Sequence, residues 1–183
     1  MIEQRGGLEL RTIRDRVTHI VETAHAHGIP TASHDDEATE EVERLHGVGV
    51  EISEYPITLA TAERAHELGM TVTMGAPNLV RGESQWGNLR TADAIEAGVV
   101  DALVADYYPM SLLGATFVDT GEPLPERVAR VTKRPADAVG LSNRGRLEKG
   151  ARADLVIVDE EPTPTVTRAL VAGQPVYRAE GSP

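Results

Sequence analysis

Four times along this chain a short apolar run ends in a polar cluster. Ile29 to Ser33 leads into His34-Asp-Asp36, and Val48 to Ile52 leads into Ser53-Glu-Tyr-Pro56. Met70 to Met74 opens a Gly/Pro/Asn-rich stretch over residues 75–90, and Val99 to Ala105 ends at Asp106. Helical spacing separates the runs: Glu40 to Leu45, Thr58 to Leu68 with Gly69 as its stop, and a helix from Thr91, read as its N-cap. Strands that are apolar along nearly their whole length belong to a parallel sheet buried on both faces. In a (β/α) barrel the chemistry sits at the C-terminal ends of the strands, so the polar clusters read as pieces of one site.

A helix over residues 8–27 precedes these units, stopped by Gly28-Ile-Pro30. After them, Glu126 to Val139 reads as a helix that Pro135 must kink or restart. From Leu141 the pattern changes to short antiparallel strands: Leu147 to Gly150, Ala153 to Asp159, Thr165 to Val171, and Val176-Tyr177 after a turn at Gly173-Gln-Pro175. The fold class is therefore α/β. Residues 1–140 form four βα units and residues 141–183 a small β domain. A closed eight-stranded barrel takes about 250 residues, so a chain of 183 holds half of one.

Composition narrows the function classes. The net charge is −11, and of 18 basic residues only Lys133 and Lys149 are lysines. Binding nucleic acid or an anionic membrane surface needs clustered positive charge, which this chain does not show. No apolar run reaches membrane-spanning length, and Met1-Ile-Glu-Gln-Arg5 is not a secretory signal. The absence of cysteine excludes disulfides and thiolate metal sites and suits a cytoplasmic setting.

Within the strand-end clusters, His34 offers an imidazole nitrogen to a divalent metal, with Asp35 or Asp36 fixing the tautomer; alternatively these aspartates cap the next helix. Asp106 is a metal ligand and proton acceptor, or a turn cap before Pro109. Asn78, Arg81, Ser84 and Asn88 lie on a stretch too long and polar for a mere connector. Arg81 presents a fork for phosphate oxygens, and the competing reading is a loop held by its own Asn and Ser side chains. Glu54 either supports the metal site or caps the helix near Thr58. His25, His27, His46 and His66 lie on or beside helices and read as solvated or packing residues.

Two sets of motifs carry a resemblance. The tail, Arg134-Pro-Ala-Asp-Ala-Val-Gly-Leu141 with Arg144-Gly-Arg-Leu-Glu-Lys-Gly-Ala-Arg-Ala-Asp-Leu-Val-Ile-Val158 and Ala172-Gly-Gln-Pro-Val-Tyr177, is similar to the C-terminus of metal-dependent amidohydrolases. There it completes a β-sandwich beside the barrel. Ala32-Ser-His-Asp-Asp36, Glu54-Tyr-Pro-Ile-Thr58, Met74-Gly-Ala-Pro-Asn-Leu-Val-Arg-Gly82 and Ala105-Asp-Tyr-Tyr-Pro-Met-Ser-Leu-Leu113 resemble the PhnM family of phosphonate-metabolism hydrolases.

That resemblance spans roughly residues 29–177 and matches only the C-terminal half of such enzymes, so it implies a shortened chain. It implies the last four units of a (β/α)8 barrel and part of a composite β-sandwich. The implied reaction is diphosphatase chemistry, releasing pyrophosphate from alpha-D-ribose 1-methylphosphonate 5-triphosphate and leaving the 5-phosphate. It also implies a divalent metal, zinc or manganese, held by His34 and Asp106, with Asp106 as the last-strand catalytic aspartate. Substrate contact then falls to Asn78, Arg81, Ser84 and Asn88, and Asp35, Asp36 and Glu54 support the ligands from outside. Gln85 stands where the family has a histidine, and Trp86 where it has a small residue.

The first barrel half, with its His-x-His pair, has no counterpart here; His25-Ala-His27 has the spacing but sits at a helix end. A separate chain supplying that half, or a homo-oligomer, is the implied partner. Another amidohydrolase, a deaminase or cyclic-amide hydrolase, and an inactive remnant are the competing readings.

Overall fold

The computed structural model describes residues 2–84 and 86–179, with side chains from residue 11 onward. Gln85 lies outside the described residues.

Helix α1 (Ile2–Ala26) is followed by β1 (Ala32–His34), α2 (Thr39–Gly47), β2 (Ile52–Glu54), α3 (Leu59–Glu67) and β3 (Thr71–Gly75). Then come α4 (Ala76–Arg81), α5 (Thr91–Glu96) and β4 (Ala102–Val104). The four strands form one parallel sheet in the order β1-β2-β3-β4. Sequential order is what right-handed crossover helices between parallel strands produce.

The core lies between this sheet and its helices. Val42 and Leu45 of α2, Ala62 and Ala65 of α3, Val72 and Met74 of β3, and Leu103 of β4 are all buried. Val72 and Met74 point to one face of β3 while Thr73 points to the other, and all three are buried. Each large apolar side chain enclosed this way contributes roughly 1.5–3 kcal/mol.

Several expectations are corrected. The second strand starts at Ile52, because Val48 to Val50 turn off the end of α2, with Gly49 at φ 102°. The stretch after β3 is not all loop: Pro77 sits in the first turn of α4, where a missing N–H costs nothing. Thr91 does not cap α5. Arg90 holds the cap position, and the Thr91 hydroxyl donates to the Gly75 carbonyl instead. Thr58 does cap α3, accepting from the Thr61 N–H.

Beyond β4 the chain forms α6 (Ser111–Phe117), α7 (Leu124–Ala129) and α8 (Lys133–Ala138). Helix α6 was not read from the sequence, and the expected helix over 126–139 is two helices. Pro135 lies in the first turn of α8, so it restarts the helix rather than kinking it.

Three antiparallel strands follow: β5 (Leu155–Asp159), β6 (Thr165–Val171) and β7 (Gln174–Arg178), in that order. Leu147 to Gly150 is not a strand: Leu147 and Glu148 are irregular and Lys149-Gly150 is a turn. The β6–β7 turn is Ala172-Gly173, one residue earlier than expected, with φ 50° and 78°; two successive left-handed residues make the two-residue hairpin link. Among the described residues no helix is long and apolar enough to cross a membrane.

One buried ion pair closes the outer side of β4. Arg130, almost fully buried, donates to both carboxylate oxygens of Glu122, and through Nε to the Val100 carbonyl at 3.2 Å. Its own carbonyl accepts the Leu103 N–H of β4 at 3.0 Å. The Arg130 guanidinium holds the Glu122 carboxyl below the usual glutamate range. A carboxyl so lowered stabilises the fold fully above its unfolded-state value, and that contribution drains as pH falls through the folded one. Glu122→Ala leaves a buried guanidinium without its counter-charge and is expected to cost about 3 kcal/mol. Chemical denaturation at neutral pH checks this, and the difference from the parent should shrink as the pH is brought below the usual glutamate range.

Candidate active site

Three strand ends are turned by residues in the left-handed region. Asp35 (φ 56°) follows β1, Tyr55 (φ 56°) follows β2, and Asp106 (φ 50°) comes just after β4. Aspartate tolerates this conformation better than most residues, whereas for a bulky tyrosine it is an outlier. The backbone stays tied through these turns: Asp35 N–H donates to the Glu54 carbonyl, and Tyr55 N–H to the Thr73 carbonyl, each at 2.9 Å. All three turns open onto one cavity of about 150 Å3.

His34, Asp35, Asn78, Arg81, Ser84, Asn88 and Asp106 line this cavity. The sheet thus brings together residues scattered over more than seventy positions of sequence. Asp36 and Glu54 stand behind it.

The β1–β2 register places His34 beside Glu54. Accordingly the Glu54 carboxylate lies 3.1 Å from His34 Nδ1, while Asp35 lies 3.6 Å from Nε2. With Nδ1–H donating to Glu54, Nε2 keeps its lone pair for a ligand or a proton. The Tyr55 ring meets the imidazole edge-on, with centroids 5.5 Å apart. Glu54, rather than Asp36, is therefore the carboxylate that orients His34.

Asp36 is buried and turns away, accepting from the hydroxyls of Ser33 at 2.7 Å and Ser53 at 2.5 Å. It stitches β1 to β2 beneath the site. No side chain caps α2, so the capping alternative for Asp35 and Asp36 is not what the structure holds.

Asn78 is also buried, and its amide is spent on the loop. Its Oδ1 accepts the Thr91 N–H at 3.0 Å and its Nδ2 donates to the Leu89 carbonyl at 3.3 Å. It braces the loop over the cavity, as the loop-holding reading expects. Arg81 ends α4 just before Gly82, which caps the helix at φ 78°. Its Nη1 donates to the Tyr107 hydroxyl at 2.6 Å.

Sequence reasoning gave no role to Tyr55, Trp86 or Tyr107, all of which line the cavity. The available signal was position: Tyr55 and Tyr107 each directly follow a singled-out carboxylate. The Tyr55 ring rests on Gly75, where an added Cβ would lie 2.5 Å from its hydroxyl oxygen. Only glycine fits there without moving the ring. Burial first, and then the negative charges of Asp106 and Glu54, push the Tyr55 hydroxyl up to about 12, so it stays protonated at neutral pH.

Among the described residues no group of three or more His, Asp or Glu side chains forms a cation site. His34 and Asp106 share the cavity, but two protein donors are fewer than the three that hold a catalytic zinc. These residues by themselves therefore do not fit a divalent metal.

The chain is 40% identical over 160 residues to the alpha-D-ribose 1-methylphosphonate 5-triphosphate diphosphatase of Escherichia coli (strain K12). The match takes in 85% of this chain but only 42% of that protein, so the chain spans less than half the length of this relative.

Solved structures share the fold at low identity. A. niger ochratoxinase superposes with a TM-score of 0.65 at 18% identity, over 91% of this chain and 46% of that one. A metal-dependent hydrolase from Pyrococcus furiosus gives 0.56 at 18% identity, over 76% and 35%. Residues 7–177 match the family model described as the amidohydrolase family, and the chain belongs to that family.

Proposed function

We propose that this chain supplies the C-terminal half of a diphosphatase that hydrolyses alpha-D-ribose 1-methylphosphonate 5-triphosphate to the 5-phosphate and pyrophosphate. In this reading residues 1–140 are the last four units of a (β/α)8 barrel, and 141–183 are strands of a composite β-sandwich. The observation that carries it is the gathering of His34, Arg81 and Asp106 at one end of the parallel sheet, around one cavity. The Escherichia coli relative supports the choice of substrate.

The geometry supports the following roles. Arg81 binds phosphoryl oxygens of the triphosphate, an anion that a chain of net charge −11 must meet with local positive charge. Ser84 and Asn88 add hydrogen bonds from the loop that Asn78 braces. Asp106 accepts the proton of the attacking water and returns it to the leaving group. Glu54 holds the His34 ring in place. His34 and Asp106 belong to a zinc or manganese site whose remaining donors come from the other barrel half, in the same polypeptide or in a partner chain. The setting is cytoplasmic.

The completed enzyme, assayed with this triphosphate, with nucleosides and with cyclic amides, separates the readings. Pyrophosphate release from the triphosphate alone is the expected result. Ammonia release from nucleosides or ring opening of the amides would make it another amidohydrolase, and inertness toward all three would make it a remnant.

A further inference from the structure

Arg81 projects from the last turn of a six-residue helix, and its side chain is solvent-exposed. A long exposed arginine ordinarily gives up about 2 kcal/mol of rotamer freedom when a ligand fixes it. Here one group already limits that freedom. The Tyr107 hydroxyl accepts a hydrogen bond from Arg81 Nη1 at 2.6 Å. Tyr107 comes from a different strand end, directly after Asp106 at φ 50°. The contact therefore ties the segment after β3 to the turn after β4, across the cavity both residues line. Among the described residues one guanidinium N–H is used, which leaves the rest of the fork for an anion.

We propose that Tyr107 is a positioning residue: its hydroxyl holds the Arg81 guanidinium over the cavity, at a set distance from the Asp106 turn, so that a polyphosphate meets an oriented cation. This rests on the reading of Arg81 as the phosphate contact. Tyr107 itself need not touch the ligand. The phenol matters as an acceptor and the ring as a spacer, so phenylalanine removes the first and keeps the second.

The test uses inorganic tripolyphosphate, with binding to the 183-residue chain followed by the fluorescence of Trp86, the single tryptophan, which lies in the cavity wall. Calorimetry on the same samples gives an independent dissociation constant. Arg81→Ala should weaken binding by at least tenfold. Tyr107→Phe should weaken it about three- to fivefold, as loss of its hydrogen bond to Arg81 allows. The melting temperature of Tyr107→Phe should not change.

In the Arg81→Ala background the same tyrosine change should have no further effect, which a merely structural role would not produce. If Arg81→Ala weakens binding but Tyr107→Phe does not, the positioning role is wrong while the phosphate contact stands. If the two effects add, Tyr107 acts independently of Arg81 and the proposal fails. If Arg81→Ala leaves binding intact, or the parent chain binds no tripolyphosphate, both the contact and the positioning role are overturned.

Discussion

Asp106→Asn in the completed enzyme is expected to lower kcat for pyrophosphate release by about a thousandfold, with KM nearly unchanged. Asparagine keeps the size of the side chain and tolerates the left-handed backbone at φ 50° nearly as well as aspartate. The substitution therefore removes proton acceptance and the anionic donor to the proposed metal site, while leaving the backbone turn in place. The melting temperature should stay within a degree or two of the parent. His34→Ala should remove activity as well, because it takes away the nitrogen that Glu54 orients from 3.1 Å. Steady-state kinetics on both variants check this, and Asp106→Asn retaining a third or more of the parent kcat would remove Asp106 from the chemistry.

By itself the 183-residue chain is expected to self-associate and to release no pyrophosphate. Strand β1 pairs only with β2 among the described residues, so its outer edge is open to another chain. Beyond β4 the Leu103 N–H meets only the Arg130 carbonyl. The antiparallel sheet adds exposed Val156, Ile157, Val171, Val176 and Tyr177, and α1 adds Ile13 and Ile20. Apolar surface of this kind on a soluble domain marks an interface that something covers. Light scattering coupled to size-exclusion chromatography should show species larger than the monomer, with binding of a hydrophobic dye. A monodisperse monomer that melts sharply and binds no dye would contradict this.

Much of the layout was legible from residue order. The βα alternation pointed to a parallel sheet because buried strands must be apolar on both faces, a pattern that survives in Ala102 and Leu103, buried neighbours on opposite faces of β4. It set His34 and Asp106 at strand ends and Arg81 on the segment that follows β3. Boundaries were less legible. Val48 to Val50 are apolar enough for a strand, yet Gly49 sends them around the end of α2. Helix α4 was hidden because Pro77 and Asn78, set between Gly75 and Gly82, read as loop, although Pro77 suits a first turn.

Contacts were the least legible part. Asp35 and Asp36 are neighbours in sequence, but the left-handed turn at Asp35 sends Asp36 inward to Ser33 and Ser53. Glu54 reaches His34 only through the β1–β2 register. Tyr107 meets Arg81 across a gap of 26 residues, which no local pattern encodes.

In the proposed enzyme this chain is the second half of a phosphoanhydride hydrolase, and its cavity forms one wall of the active site. The direct measurement mixes the 183-residue chain with the first barrel half of the Escherichia coli relative, with zinc or manganese present. Pyrophosphate release from alpha-D-ribose 1-methylphosphonate 5-triphosphate is then followed, and the two halves of the relative serve as the control pair. The expected result is no release from either half alone, release from the mixture, and none when the chain carries Asp106→Asn. Release by the 183-residue chain alone, or an inert mixture beside an active control pair, would contradict it.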